Sequence, residues 1–280
     1  MRPLSLSVAG LRINLLPQAD IVTPDRRMYF LLKGVFGDSL REGRSPKSGL
    51  DIYIQSFERG ALAKEICSSK DTIVYYSRNS FFKHKFLSKK AFIYVSKTKK
   101  GVAAFFVDIQ QMLLLAASIL GMRHDFVFLH AAAVAFKDKG CLFLGRSGSG
   151  KTTLCRRIKP ECIYSDDVAM VKRSKNNFYL LKSPFHPFLN QGNLSRQESA
   201  KLESVFILRK SGKVSITGMD AKDVLGKIVR EGTFFYDQSH PRLKKHIFEY
   251  LFEMLKKAPA FKLALKKDSD VYKIITGGLK

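Results

Sequence analysis

Three places in the chain combine residue types and spacing suited to phosphate chemistry. The first is Gly145–Thr152, which reads GRSGSGKT, a full match to GxxxxGK[ST]. Gly145, Gly148 and Gly150 allow backbone conformations that a Cβ would forbid, so the amides of a loop through Arg146, Ser147 and Ser149 can converge on phosphate oxygens. Lys151 is long enough to reach β- and γ-phosphates, and the Thr152 hydroxyl suits Mg²⁺. Thr153 continues the run into a helix whose positive N-terminal end faces the same anion. The alternative is a glycine-rich turn that binds nothing. The completeness of the motif and its setting, Cys141–Leu144 before it and Thr152–Ile158 after it, count against that.

The second place is CIYSDDV, Cys162–Val168, an apolar strand ending in Asp166 and Asp167. Two adjacent carboxylates suit Mg²⁺ coordination plus proton abstraction. By analogy with acid pairs on hydrophobic strands of other P-loop proteins, Asp166 is expected at the metal and Asp167 at the nucleophile. An exposed turn or helix cap is the competing account of such a pair. The third place is His130, within the apolar run LHAAAV. Such a histidine is either a packing residue or a catalytic one. The stretch from Thr152 to Asp166 leaves room for one short helix, and no NKxD guanine-recognition motif occurs. Both features count against a Ras-type GTPase.

These residues need a strand, a turn and a second strand to hold them: Leu129–Phe136, KDKG, and Cys141–Leu144. Downstream, strands are expected at Ser204–Arg209 and Val214–Thr217. A helix follows from about Ala221 to Glu231, with Asp220 as N-cap and Gly232 after its end. PRLKKHIFEYLFEMLKK reads as an amphipathic helix with Pro241 in its first turn. A strand at Phe261–Leu265 and a short helix after Asp268 complete this half. Phe105–Leu120 reads as a buried helix. Before it the chain is β-rich, with alternation at Leu4, Leu6 and Val8, then at Leu11, Ile13 and Leu15. Further runs lie at Leu50–Gln55, Thr72–Ser77 and Ala91–Ser96. TPDRR and REGRSPKSG read as loops, and SKTKKG (Ser96–Gly101) as a boundary. The expected organisation is a β-rich N-terminal domain over 1–100, with substrate recognition as its expected role, and a P-loop domain over 101–280.

Composition narrows the class. Of the 280 residues, 45% are hydrophobic and 26% charged, which excludes disordered and low-complexity chains. Lys and Arg number 49 against 24 Asp and Glu, a formal charge of +25. That excess favours acidic partners, unless it reflects a generally Lys-rich proteome. Cys67, Cys141, Cys155 and Cys162 form no CxxC pair and read as reduced thiols of a cytoplasmic protein, with no zinc spacing. Arg12 and Asn14 interrupt the apolar run that a signal peptide needs, and Met112–Leu120 is too short to span a bilayer. Specific nucleic-acid binding has no motif behind it.

His-bearing strand, β-turn, P-loop and early Asp-Asp together resemble the HPr kinase/phosphorylase family. The resemblance is close from Leu129 to Ile158 and from Cys162 to Val171, and weaker through Pro184–Phe188 and KLESVFILRK. It is strongest to the shorter HPr-kinase-like proteins found beside peptide-modification genes, including kinases that phosphorylate a serine of lasso precursor peptides. It implies an α/β fold with a P-loop kinase core of the HPr kinase/phosphoenolpyruvate carboxykinase type, and a homo-oligomer. It places the active-site histidine on His130, the proton acceptor on Asp167 with Asp166 near the metal, and the phosphoryl-stabilising cation on Lys151. The implied activity is an ATP- and Mg²⁺-dependent kinase acting on a Ser or Thr hydroxyl of an acidic peptide or protein. A small-molecule kinase on the same core and a non-enzymatic nucleotide-binding regulator are the alternatives. The Glu-x-Arg-Gly element of the HPr-binding kinases has no match, with Asn190–Gly192 only at its rough position. Arg146 also stands where other members often carry a different residue. Both departures count against HPr as acceptor and against the reverse phosphorolysis.

Overall fold

The computed structural model describes residues 4–8, 11–17, 40–42, 50–57, 72–76, 80–85, 88–96, 102–136, 139–185, 198–234, 241–266 and 269–278. TPDRR, residues 43–49 of REGRSPKSG, residues 97–101, Cys67, residues 137–138 of the KDKG turn, residues 186–188 and Asn190–Gly192 lie outside them. The protein is mixed α/β with two sheets, and it divides into two compact units between Leu120 and Gly121. Most of the helix α1, Val102–Arg123, therefore counts with the first unit, beyond the boundary expected at Ser96–Gly101.

The first unit holds a seven-stranded sheet of β1 (Leu4–Val8), β2 (Leu11–Pro17), β3 (Leu40–Glu42), β4 (Leu50–Phe57), β5 (Thr72–Tyr76), β6 (Ser80–Lys85) and β7 (Lys90–Ser96). Their order is β3-β1-β2-β4-β7-β6-β5, with β2, β4 and β7 parallel. The alternation read from sequence is the burial pattern: Leu6 and Val8, Ile13 and Leu15, and Leu50, Ile52 and Ile54 are all buried. Buried Asn14 donates through Nδ2 to Asp51 Oδ1 at 2.9 Å, between residues paired in the β2–β4 register. A one-residue slip would break that bond and turn the apolar set to the wrong face.

In the second unit eight strands form one sheet: β8 (Phe126–Phe136), β9 (Lys139–Leu144), β10 (Ile163–Ser165), β11 (Val168–Ser174), β12 (Asn177–Leu181), β13 (Ser199–Lys210), β14 (Ser215–Gly218) and β15 (Ala260–Leu265). β8 pairs with β9 along one edge and with β10 and then β11 along the other. Because β13 joins both β12 and β9, the pairings β8-β11-β12-β13-β9 close on themselves.

Strand β8 is buried on both faces, which is why its sequence is a near-continuous apolar run. Val127, Leu129, Ala131, Ala133 and Ala135 share one cluster with Leu243, Ile247, Leu251 and Met254 of α4, Pro241–Lys257. Ala132, Val134 and Phe136 share another with Leu154 and Cys155 of α2, Lys151–Cys155, and with Val271 and Ile275 of α5, Val271–Gly278. In α4 the buried residues recur at helical spacing, each Leu worth about 2 kcal/mol by burial, while Phe248 and Phe252 stay exposed. Helix α3, Ala221–Lys227, starts where expected: the Asp220 carboxylate accepts from Lys222 N at 2.7 Å. Its continuation to Glu231 is corrected, because Ile228–Gly232 winds as a π-helix. Among the described residues no helix is long and apolar enough to cross a membrane.

Candidate active site

Strand β9 delivers the phosphate-binding sequence, and the loop conformation explains its glycines. Gly148 (φ 77°) and Gly150 (φ 108°) sit in the left-handed region, where a side chain would be strained. A Cβ at Gly145 would lie 2.6 Å from Ser149 Oγ, so the loop folds back on itself only with glycine there. Ser149 N donates to Arg146 O at 2.9 Å, and Leu154 N to Gly150 O at 2.8 Å opens α2. No side chain caps that helix. Lys151 is buried, and its Nζ donates to Gly145 O at 2.7 Å. Burial lowers its pKa, while the charges of Asp167 and Glu231 act to raise it.

The acid pair lies between β10 and β11, which follow one another along the same edge of β8 with an irregular register. Ala131 N donates to Asp167 O at 3.0 Å, and Val168 pairs with His130. Strand pairing therefore sets the two side chains abreast: His130 Nε2 stands 3.0 Å from Asp167 Oδ1, with side chains 28% and 31% exposed. The exposed-turn account fails for Asp166, which is 0% exposed. Neither of its carboxylate oxygens has a hydrogen-bond partner. Burial pushes its pKa up and the Asp167 charge adds to the effect, while its own backbone N–H and the Arg156 charge act the other way. Burying a carboxylate without a partner is costly, and a bound cation is one physical way to offset that cost. Among the described residues no group of three or more His, Cys, Asp or Glu could hold a metal by itself. Mg²⁺ does not require one, since one or two carboxylates or hydroxyls with substrate phosphates suffice. The unpartnered Asp166 carboxylate and the Thr152 hydroxyl are donors of the kind such a site uses.

Glu231 is the residue that sequence reading missed. It comes from the π-helix, whose tight approach depends on Gly232, where a Cβ would lie 2.7 Å from Leu144 Cδ2. The chain then pairs Thr233 with Leu129. Glu231 Oε1 thus accepts from Arg146 Nε at 2.9 Å, and the Phe234 ring lies 5.9 Å from that of His130. A lone glutamate 85 residues from its partner carries no local signal. Of the loop residues, Arg146 is 84% exposed and turned to Glu231, Ser147 and Thr153 are exposed, and Thr152 is half-buried. His130 meets Asp167 and Arg146 meets Glu231, Lys151 feels the charges of Asp167 and Glu231, and Asp166 is buried next in sequence to Asp167.

Residues 95–275 match the family described as SynChlorMet cassette protein ScmC. No curated protein matches the chain.

Proposed function

We propose that this chain, which belongs to the ScmC family, is a phosphotransferase that moves the γ-phosphoryl group of ATP to a Ser or Thr hydroxyl of a peptide or protein. The core would be of the P-loop kinase type shared by HPr kinase and phosphoenolpyruvate carboxykinase. The observation that carries the reading is the His130–Asp167 contact at 3.0 Å, formed next to a buried lysine that feels the charge of that same aspartate. A proton acceptor and a phosphate-binding cation then work at one end of one sheet.

Asp167 takes the acceptor hydroxyl proton as the hydroxyl oxygen bonds to the γ-phosphorus. The bond from that phosphorus to the β–γ bridging oxygen breaks, and the diphosphate leaves. His130, donating to Asp167, orients the carboxylate toward the acceptor. Lys151 exchanges the neutral Gly145 carbonyl for an anionic phosphate oxygen, a stronger partner. Mg²⁺ held by Asp166 and Thr152 would neutralise charge on the phosphates. The basic surface favours an acidic acceptor, so added salt should depress turnover steeply.

The test is transfer from γ-labelled ATP, with Mg²⁺, into fractionated extract of the native host. Lys151→Ala and Asp167→Asn serve as controls. Label in a peptide or protein fraction with the wild type alone supports the reading and identifies the acceptor. Label in a metabolite fraction replaces it with a small-molecule kinase. Nucleotide binding with no transfer to any fraction replaces it with a nucleotide-sensing regulator.

A further inference from the structure

We infer that the outer edge of β14 is a docking site for the acceptor, an extended peptide segment whose side chains alternate between acidic and apolar. It deepens the phosphotransferase reading, on which it rests, by seating the acidic acceptor of that reading. Among the described strands β14 ends the sheet of the second unit, paired with β15 alone. Ser215, Thr217 and Gly218 are exposed, and a Cβ added at Gly218 would meet no atom within 4 Å. Such an edge presents a row of unpaired amides and carbonyls to another chain. Edges are commonly guarded by a charge or a proline, and Ser215–Gly218 contains neither.

The ladder fixes which groups are open. Met219 N donates to Ala260 O at 2.9 Å, so the alternating pattern turns the backbone of Ser215 and Thr217 toward β15. Ile216 and Gly218 therefore turn their N–H and C=O outward, two residues apart, as an added strand requires.

Side chains alternate in the same step. Val214, 45% exposed, enters in step with Ile216, which packs against the core that holds Leu263. Ser215 and Thr217 lie on the other face, with Lys262 opposite Thr217 and exposed Lys213 two residues before Ser215. A strand laid beside β14 thus finds apolar neighbours on one face and lysines on the other. The nearest carboxylate in sequence, Asp220, is engaged in capping α3. Charge complementarity selects acidic side chains for the lysine face. It disfavours a second copy, which would set Lys213 and Lys262 against lysines.

The catalytic end of the sheet is within reach. Ala131, Leu144, Ile207, Lys262 and Thr217 stand in one register row across β8, β9, β13, β15 and β14. Four strand spacings are about 19 Å, and an added strand brings this to about 24 Å. Ala131 adjoins His130, so about seven extended residues carry a hydroxyl from the docked segment to Asp167.

The experiment is fluorescence anisotropy of the full chain with two short labelled peptides, one alternating Glu and Val, the other Lys and Val. Beside it runs transfer from γ-labelled ATP into the peptide and protein fraction of the host. The wild type should bind the Glu-Val peptide at least about tenfold tighter than the Lys-Val peptide. Gly218→Pro deletes an outward N–H and leaves the β15 ladder whole. It should weaken the Glu-Val peptide at least about tenfold, and raise the half-saturating amount of host fraction with turnover at saturation kept. Gly218→Ala, which keeps the N–H, should stay within about twofold of the wild type. Lys213→Glu with Lys262→Glu should also weaken the Glu-Val peptide, and it decides the matter should Gly218→Pro fail to fold. Glu-Val affinity unchanged in these variants would overturn the docking edge while the phosphotransferase reading stands. A dimer in sedimentation that Gly218→Pro dissociates would overturn it in favour of a second copy. If the wild type binds the Glu-Val peptide at this edge but labels no host fraction, the phosphotransferase reading falls and β14 stands as a peptide-binding edge.

Discussion

His130 Nε2 lies 3.0 Å from Asp167 Oδ1 because β8 and β11 are paired in a register that sets Val168 opposite His130. The contact is held from both sides by backbone: Ala131 N donates to Asp167 O, and the ladder continues through Ala169 and Leu129. On the proposed reading Asp167 acts as general base, a role worth about 10²- to 10⁴-fold. Asp167→Asn should lower turnover by that factor and keep ATP affinity within about twofold, whereas His130→Gln, which retains a donor, should lower it less. Single-turnover transfer and equilibrium binding on the same preparations check both statements. Undiminished turnover in folded Asp167→Asn would reject the assigned base.

Asp166 pays for its position in stability. Its two carboxylate oxygens are buried with no partner, so a neutral side chain of the same shape should raise stability. Asp166→Asn should gain about 1–3 kcal/mol in denaturant unfolding without Mg²⁺ or nucleotide, and lose the stabilisation that Mg²⁺ with ATP gives the wild type. A destabilised variant would mean that the carboxylate is satisfied within the fold.

The pair Arg146–Glu231 is exposed on its arginine side, so Arg146→Ala should cost less than about 1 kcal/mol. Glu231 matters more through its charge near Lys151. Glu231→Gln removes a negative charge beside an anion site and frees Arg146, and should tighten tripolyphosphate binding several-fold. Weaker binding in calorimetry would show instead that Glu231 helps to hold the ligand.

Thiol chemistry should follow burial and pH. Burial pushes Cys141 up to about 11 and Cys155 up to about 12, whereas half-exposed Cys162 is raised less. A raised thiol pKa means less thiolate at any lower pH, and the thiolate is the nucleophile. At pH 8, peptide-resolved alkylation of the native protein should therefore label Cys162 before Cys141 and Cys155. Early labelling of Cys155 would show that the segment after the phosphate loop opens in solution.

How far the sequence alone reaches depends on whether a signal is local. Gly145–Thr152 is readable because each residue type answers to the backbone it must adopt within eight positions, and the structure bears this out at Gly148 and Gly150. The alternation in β1, β2 and β4 and the apolar stripe of α4 are local periodicities too, and their elements form where expected. The capped start of α3 was legible in Asp220, but its π-helical end was not, since that turn is shaped by packing Gly232 against Leu144. Which aspartate faces His130 follows from strand pairing, with Ala131 N on Asp167 O and Val168 opposite His130, and Asp166 is the one left buried. Glu231 reached the site across 85 residues, and β14 became an edge through its pairing with β15. Sequence by itself determined the phosphate-loop motif and the elements with a local period. Burial, charge environment and the meeting of distant side chains were decided by tertiary structure, because desolvation and Coulomb energies depend on distance in space and not along the chain.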